Sequence, residues 1–371
     1  ERMTSDGMTY GRKLDAVETE MRALISFLGA HDYAPEAVER AMRLPVIAAS
    51  SAEERAAFAH ALHEIVTDIV PRLRRTEGEI TETLRALTGR YIEPSPAGAP
   101  TTNGVDVLPT GRNFYGLDPR CMPTPAAWEY GKQLGDALIE QYISDEGRYP
   151  EAVGIVFWAG SNMRSHGQCI AELFYLMGVR PVWRRPSQRV CALDVIPIAE
   201  LRRPRIDVTA RISGLFRDAV PNAVHWVDEA VRMVRDLDES DEENYVRKHV
   251  LADTAWLEEQ GEARESAWER ASVRIFGDPP GVYGAGVAAL LESKAWETLD
   301  DLAAVYTRFS GTAYGGDGMA RGYDPEVFQR RMAGLDVTVK NEDTRETHMF
   351  SSDDYNAYHG GMIATVRALT G

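Results

Sequence analysis

The sequence predicts an α/β fold with added helical regions: a parallel-sheet α/β domain flanked by mainly helical segments. Between about residues 126 and 240, short apolar, β-branched runs alternate with helix-length stretches, the order that builds a parallel sheet. Before residue 90 and after residue 241 the apolar spacing is mostly that of helices. Glycine- and proline-rich stretches punctuate the three regions.

Residues 1–110 read as mainly helical with an extended connector. "LDAVETEMRALISFLG" places Val17, Met21, Leu24 and Leu28 on one stripe, and Gly29 is positioned to close that helix. In "SAEERAAFAHALHEIVTDIVPRLRR", Ser51 and Glu54 have capping-box spacing, so each side chain can satisfy the other residue's exposed backbone N–H. "YIEPSPAGAPTTNGVDVLPTG" is the connector, or a segment wrapping over a domain.

Residues 111–240 form the expected α/β domain. "PAAWEYGKQLGDALIEQY" reads as a helix, "EAVGIVFW" as a buried strand and "GQCIAELFYLMG" as a helix ended by Gly178. "VRPVW" reads as the second strand of a βαβ unit, "RIDVTARIS" as a further strand, and a helix follows from about Pro221 to Leu237. The acidic run "DLDESDEENY" reads as a solvated boundary. Residues 241–371 then form a mainly helical domain with the glycine-rich loops "FGDPPGVYGAG" and "SGTAYGGDGMARG". No internal repeat of fixed period is present.

Charge excludes some functions. A formal charge of −16 over 371 residues is opposite to what phosphate neutralisation needs, so no nucleic-acid partner is expected. No apolar run approaches the ~20 residues that cross a bilayer, so no membrane partner is expected. Cys121, Cys169 and Cys191 make no CxxC pair, and "ERMTSDGM" lacks a secretion-signal pattern; reduced thiols in a cytoplasmic protein are expected.

The candidates for chemistry are few. "GDPPGVYGAG" lacks GxxxxGK[ST] and follows no clear strand, so turn and cap duty is expected of its glycines and no ATP site of this chain. Ser213 and Ser310 lack the GxSxG context of a nucleophile elbow. From Arg180 to Arg217, nine arginines face only Asp194, Glu200 and Asp207, a net of +6. Guanidinium forks bind carboxylates bidentately, so these arginines either hold a polycarboxylate ligand or pair with the acidic remainder of the chain. His166 follows a predicted strand, at the carboxyl end where α/β sheets hold ligands. The stretch "NEDTRETHMFSSDDYNAYHGG", Asn341 to Gly361, gathers carboxylates and two histidines, yet its spacing matches no zinc-finger, HExxH or EF-hand pattern. Imidazole there suits a transition metal; alternatively Ser352 or Asp353 caps a helix and the charges are solvated.

Longer strings narrow the choice. "DVLPTGRNFYGLDPR", "PTPAAWEYGKQL", "LMGVRPVW", "RPRIDVTARISGLFRDAVPN", "RIFGDPPGVYGAG" and "SSDDYNAYHGGM", in that order, resemble the large subunit of cobaltochelatase, homologous to the porphyrin-binding H subunit of magnesium chelatase. The resemblance runs from about residue 80 to 371 and matches an internal or C-terminal portion of that longer subunit. It implies a tetrapyrrole-binding component that inserts cobalt, as metal substrate, into hydrogenobyrinic acid a,c-diamide. It also implies AAA+ partner subunits that use ATP and magnesium. On that resemblance His166, His359 and Glu346 become the expected catalytic groups. Asp343, Asp353 and Asp354, with the two histidines, are expected to face the metal. Arg112, Arg202, Arg203, Arg205 and Arg217 are expected to hold the ring periphery. Gln168 stands where relatives commonly carry an acidic residue, which motivates an alternative, a tetrapyrrole carrier without chelatase turnover.

Overall fold

The computed structural model describes residues 9–48, 51–95, 105–114, 117–316, 318–343 and 349–371. The chain divides into two units, Glu1–Gly116 and Leu117–Gly371.

The described part of the first unit is mainly helical. Helix α1 (Tyr10–Ala30) starts where the Thr9 hydroxyl accepts the Arg12 N–H. Helix α2 (Pro35–Ala41) follows, then α3 (Ala52–Glu64), which carries the capping box of Ser51 and Glu54 with both reciprocal bonds formed. The helical path continues through a π-turn, Ile65–Ile69, to Arg74, and α4 spans Gly78–Leu87. Leu24, Leu28, Ala37, Ala41, Leu62 and Val66 make its core. Gly29 does not close α1: the cap is His31, whose N–H reaches back to the Leu28 and Gly29 carbonyls. Val17 lies outside the core at 43% exposure, so the buried stripe is shorter than its spacing predicts. Two short strands, β1 (Pro94–Ser95) and β2 (Asn113–Phe114), pair in parallel.

The second unit is built on one six-stranded sheet in the order β10-β3-β6-β7-β8-β9. Strands β3 (Ala152–Phe157), β6 (Asp207–Ile212), β7 (Ile275–Gly277) and β10 (Val337–Val339) run parallel; β8 (Thr312–Gly315) and β9 (Met319–Tyr323) complete the sheet antiparallel. Strands β3 and β6 are wholly buried and uninterrupted in apolar or paired residues, as sheets covered on both faces require. On one face Val153, Ile155, Phe157, Val208 and Ile212 pack with helices α5 (Pro125–Glu146), α7 (Gln168–Met177) and α9 (Pro221–Arg235). Short helices α6 (Ala159–Arg164) and α8 (Gly214–Ala219) leave the ends of β3 and β6. On the other face Val156 and Phe276 meet Tyr306, Phe328 and Met362. Those side chains come from α12 (Leu299–Ser310), α13 (Pro325–Ala333) and α14 (Gly361–Thr370), while α10 (Tyr245–Glu259) and α11 (Arg264–Ala271) pack on each other. Helices α5 and α7 cross so closely that a Cβ on Gly131 would collide with Ala171.

Two expectations are corrected here. "VRPVW" is not a strand of the parallel sheet. It is β4 (Val179–Arg184), which pairs antiparallel with β5 (Arg189–Val195) in a separate hairpin. The four residues between them suit a hairpin and are far too few for a parallel crossover. The parallel partner of β3 is β6, so α7 and the hairpin together make the connection. Nor does the chain divide at 240: β7, β8, β9 and β10 all join the sheet begun by β3. The acidic run is fastened to it, because Arg205 donates to both Glu239 oxygens at 2.7 and 2.8 Å and Asn244 donates to the Val234 carbonyl.

Candidate active site

The parallel strands deliver four chain segments to the carboxyl edge of the sheet, where α/β folds leave a crevice for ligands. The chain leaves β3 into Trp158 and α6, β6 into Ser213 and α8, β7 into Asp278, and β10 into Lys340–Asp343.

Asp278 organises one side. It is fully buried, receives an Arg211 N–H at 2.5 Å, and accepts the backbone N–H groups of Gly214 and Gly284 on its second oxygen. The glycine-rich loop after β7 is therefore strapped to the ends of β6 and β7, a structural duty. Arg211, itself fully buried, also donates to Ser310 and lies 4.3 Å beneath the Tyr358 ring.

His359 stands on the other side. It lies in a π-turn, Asn356–Gly360, directly before α14; such turns are frequent at functional positions. Tyr358 packs edge-on against Trp158 at 4.9 Å, and its carbonyl accepts the Tyr306 hydroxyl, so the turn is held from both sides. The His359 ring is 8% exposed, with Nε2 3.1 Å from the Thr338 hydroxyl of β10 and the Tyr355 ring edge-on at 5.1 Å. Nδ1 is buried with no partner among the described residues. Burial holds the imidazole below its usual pKa, hence neutral near pH 7. With Nε2 donating to Thr338, Nδ1 keeps a free lone pair, which a proton or a metal ion can take.

Lys340 is 5% exposed at its side chain, sits 4.7 Å over the Tyr355 ring and pairs with Glu342 at 3.3 Å. Asp353 and Asp354 occupy the exposed rim, in a turn capped by Ser352. Partial enclosure raises the Asp354 pKa above the usual carboxylate range, with Asp353 adding to the effect and Lys340 opposing it.

The other expected residues lie differently. Asp343 is engaged by both nitrogens of the Arg164 fork at 2.5 and 2.8 Å, a tie between α6 and the arm after β10. That pairing neutralises it as a metal ligand. His166 is exposed, with φ +55°, in the turn between α6 and α7, and makes no contact with His359 among the described residues. Glu346 lies outside the described residues, as does His348. Among the described residues no three of His, Cys, Asp and Glu converge as a metal cluster.

The arginines are corrected more sharply. Arg203 and Arg205 precede β6, at the amino edge, the opposite end of the strand from His359. Arg203 donates to the Tyr175, Leu176 and Pro204 carbonyls and stacks on the Tyr175 ring. Arg205 is fully buried, bonded to Glu239 and to the Gly178 and Ile196 carbonyls. Arg217 is spent on Asp218 and on the Pro279 carbonyl. Each of these guanidinium groups is bonded within the fold, although Arg203 Nε is buried without a partner among the described residues; the fold itself therefore uses the donors expected to hold the ring. Arg202, exposed with φ +58°, has no side-chain partner among the described residues, though it too lies before β6. Arg112 belongs to the first unit.

The amino edge is a buried charge network. Asp207, 1% exposed, accepts from Arg274 at 2.7 Å, His249 at 2.9 Å and Arg331 at 3.1 Å. A second buried acid escaped sequence reasoning altogether. Glu172 of α7 is 2% exposed, one of its oxygens has no partner among the described residues, and burial pushes its pKa up to about 7 against a contact with Asn341. The available signal was a single carboxylate inside the apolar run "CIAELFYLM".

A mixed sheet covered by helices on both faces defines the class: an α/β unit carrying a buried imidazole. The family follows from comparison with known proteins. The model of the CobN/Magnesium Chelatase family matches residues 1–371, and the chain belongs to that family. It is 42% identical over 311 residues to the aerobic cobaltochelatase subunit CobN of Sinorhizobium sp., covering 84% of this chain and 24% of that protein. To the magnesium-chelatase subunit ChlH of Oryza sativa it is 34% identical over 293 residues, covering 76% of this chain and 20% of that one. The structure of the catalytic subunit of cobaltochelatase from Mycobacterium tuberculosis superposes with a TM-score of 0.76 at 45% identity, covering all of this chain and 30% of that one. The chain thus spans about a quarter of the length of the curated relatives it matches. No described helix is long and apolar enough to cross a membrane.

Proposed function

We propose that this chain is the tetrapyrrole-contacting part of a metal chelatase that inserts cobalt into hydrogenobyrinic acid a,c-diamide, with ATP hydrolysed by separate AAA+ subunits. Cobalt is the substrate metal. The observation that carries the reading is the buried, neutral His359, whose Nδ1 has no partner among the described residues, in a chain from this family. Identity supports the cobalt branch, since the cobaltochelatase relatives are 42% identical and the magnesium-chelatase relatives 29% to 34%.

Insertion requires two pyrrolic protons to leave while a partly desolvated cation approaches one face of the ring. A neutral imidazole with a free lone pair takes up one of those protons or hands over the cation. Asp353 and Asp354 on the rim draw the cation inward, with Lys340 favouring the ionised form of Asp354. His166 stands apart from this cluster and serves, on this reading, at the mouth of the crevice.

The test compares His359→Ala with the unaltered protein in the assembled chelatase, following cobalt uptake and ring binding by absorbance. Insertion falling by about 100-fold or more, the usual scale for a general base, with ring binding retained, supports the role. Unchanged insertion removes His359 from the mechanism. Gln168, which cannot act as a carboxylate ligand or base, favours one alternative, a carrier module that holds the ring without turnover. Ring binding with no metal uptake, with ATP and partner subunits supplied, would select it.

A further inference from the structure

The first unit holds a half-open cavity of about 690 Å³. One wall is a single helical face, Arg75, Gly78, Glu82 and Arg85, spaced three, four and three residues apart. Tyr91 and Ile92 form the facing wall, and the turn from Pro109 to Arg112 closes the remaining side. That turn packs backbone to backbone on the start of α4. Gly111 has φ +82°, and a Cβ there would lie 2.5 Å from the Glu79 nitrogen, so only glycine allows the approach. The parallel pairing of β1 with β2 then sets Arg112 beside Glu93.

Three guanidinium groups thus line one cavity, and none has a hydrogen-bonded side-chain partner among the described residues. Arg112 stands 3.9 Å from Glu93 and Arg85 3.9 Å from Glu82, both beyond hydrogen-bond distance. Arg75 has no side-chain partner among the described residues. The Thr110 hydroxyl, also in the lining, is buried without one. The arginines of the second unit contrast directly: Arg203, Arg205, Arg211 and Arg217 are all bonded within the fold. Each guanidinium carries five N–H donors in a planar fork that matches a carboxylate. Beside these donors, Tyr91 offers a flat face at 72% exposure.

We propose that this cavity is a binding site for a small polycarboxylate, its carboxylates held by Arg75, Arg85 and Arg112 and its body laid against Tyr91. The site goes beyond the chelatase reading and depends on neither His359 nor the crevice of the second unit. The carboxylates can belong to a free acid or to the rim of a tetrapyrrole.

The 371-residue chain is titrated with tricarballylate and with inorganic phosphate by calorimetry, and with uroporphyrin, which bears eight carboxylates, by absorbance. Arg85→Gln, Arg112→Gln and the double variant are compared, with far-UV circular dichroism confirming that each is folded. Saturable tricarballylate binding is expected, about tenfold weaker in each single variant and at least tenfold tighter than phosphate. Uroporphyrin affinity that falls in parallel identifies a ring rim as the source; tricarballylate affinity falling alone identifies a free acid. Absent tricarballylate binding, binding unchanged in the double variant, or phosphate bound equally well overturns the proposal. His359→Ala separates the two sites: tricarballylate binding should be unchanged in it, and a loss there overturns the proposal.

Discussion

Replacing Asp207 by Asn removes one negative charge from the amino edge and leaves shape nearly unchanged. Burial alone would raise the Asp207 pKa, but Arg274, His249 and Arg331 outweigh it and hold the carboxyl far below the usual range. Arg274 is 1% exposed and has no other anionic partner among the described residues; Arg331, at 8%, retains Asp253. The substitution therefore strands one buried guanidinium and halves the pairing of another. Breaking such a pair costs about 3–5 kcal/mol. Urea unfolding followed by tryptophan fluorescence measures it cleanly, because all seven tryptophans lie in the second unit, the first being Trp128. A pH series adds a sign. A carboxyl with a depressed folded pKa contributes stability that is complete above its unfolded value, about 3.9, and is lost as pH falls toward the folded value. The gap between the unaltered protein and Asp207→Asn should stay constant from pH 7 to about 5 and narrow below about 4. A loss under ~1 kcal/mol at pH 7, or a gap already closing near pH 6, would refute the assignment of Asp207 as the counter-charge.

Glu172 predicts the opposite trend. Its folded pKa, about 7, lies above the unfolded value, so folding favours the protonated form and stability declines as pH rises through 7. Glu172→Gln should be more stable than the unaltered protein at pH 8, by as much as about 3 kcal/mol, and equal to it near pH 4; the same urea assay reads both. Gly131→Ala should cost about 1–3 kcal/mol by forcing α5 away from Ala171, seen as a lower thermal midpoint of the tryptophan signal. Phe276→Ala, which empties the contact with Phe328 at 5.3 Å, should cost about 3–5 kcal/mol in the same transition. A smaller loss would mean that α13 collapses into the gap.

Sequence reasoning located β3, α7, β6 and α9 because each carries a signal of its own: continuous apolar β-branched runs for the strands, and Gly178 in a left-handed cap for α7. The strands beyond residue 240 carried no comparable signal. Ile275–Gly277 and Val337–Val339 have three residues each, too short for any periodicity, and only their partners make them strands. The arginine-rich segment misled for a related reason. Composition registers surplus charge, but the acids that absorb it are distant in sequence, Glu239 for Arg205 and Asp278 for Arg211. His359 was found by resemblance, whereas its ring is oriented by Thr338, contributed by a strand that sequence reasoning did not find.

Strand β10 pairs Val337 with Val153, contacts separated by more of the chain than any others in the sheet. Such long-range pairing forms late, since loop closure must be met before it is rewarded. Until β10 docks, β3 ends the sheet with "AVGIVF" bare along one side, an uncharged apolar edge able to pair with another chain. The three residues that bring Thr338 to His359 therefore also shield the second unit from self-association. Substitutions that loosen β10 should show themselves as aggregation during refolding before they show as a lost site.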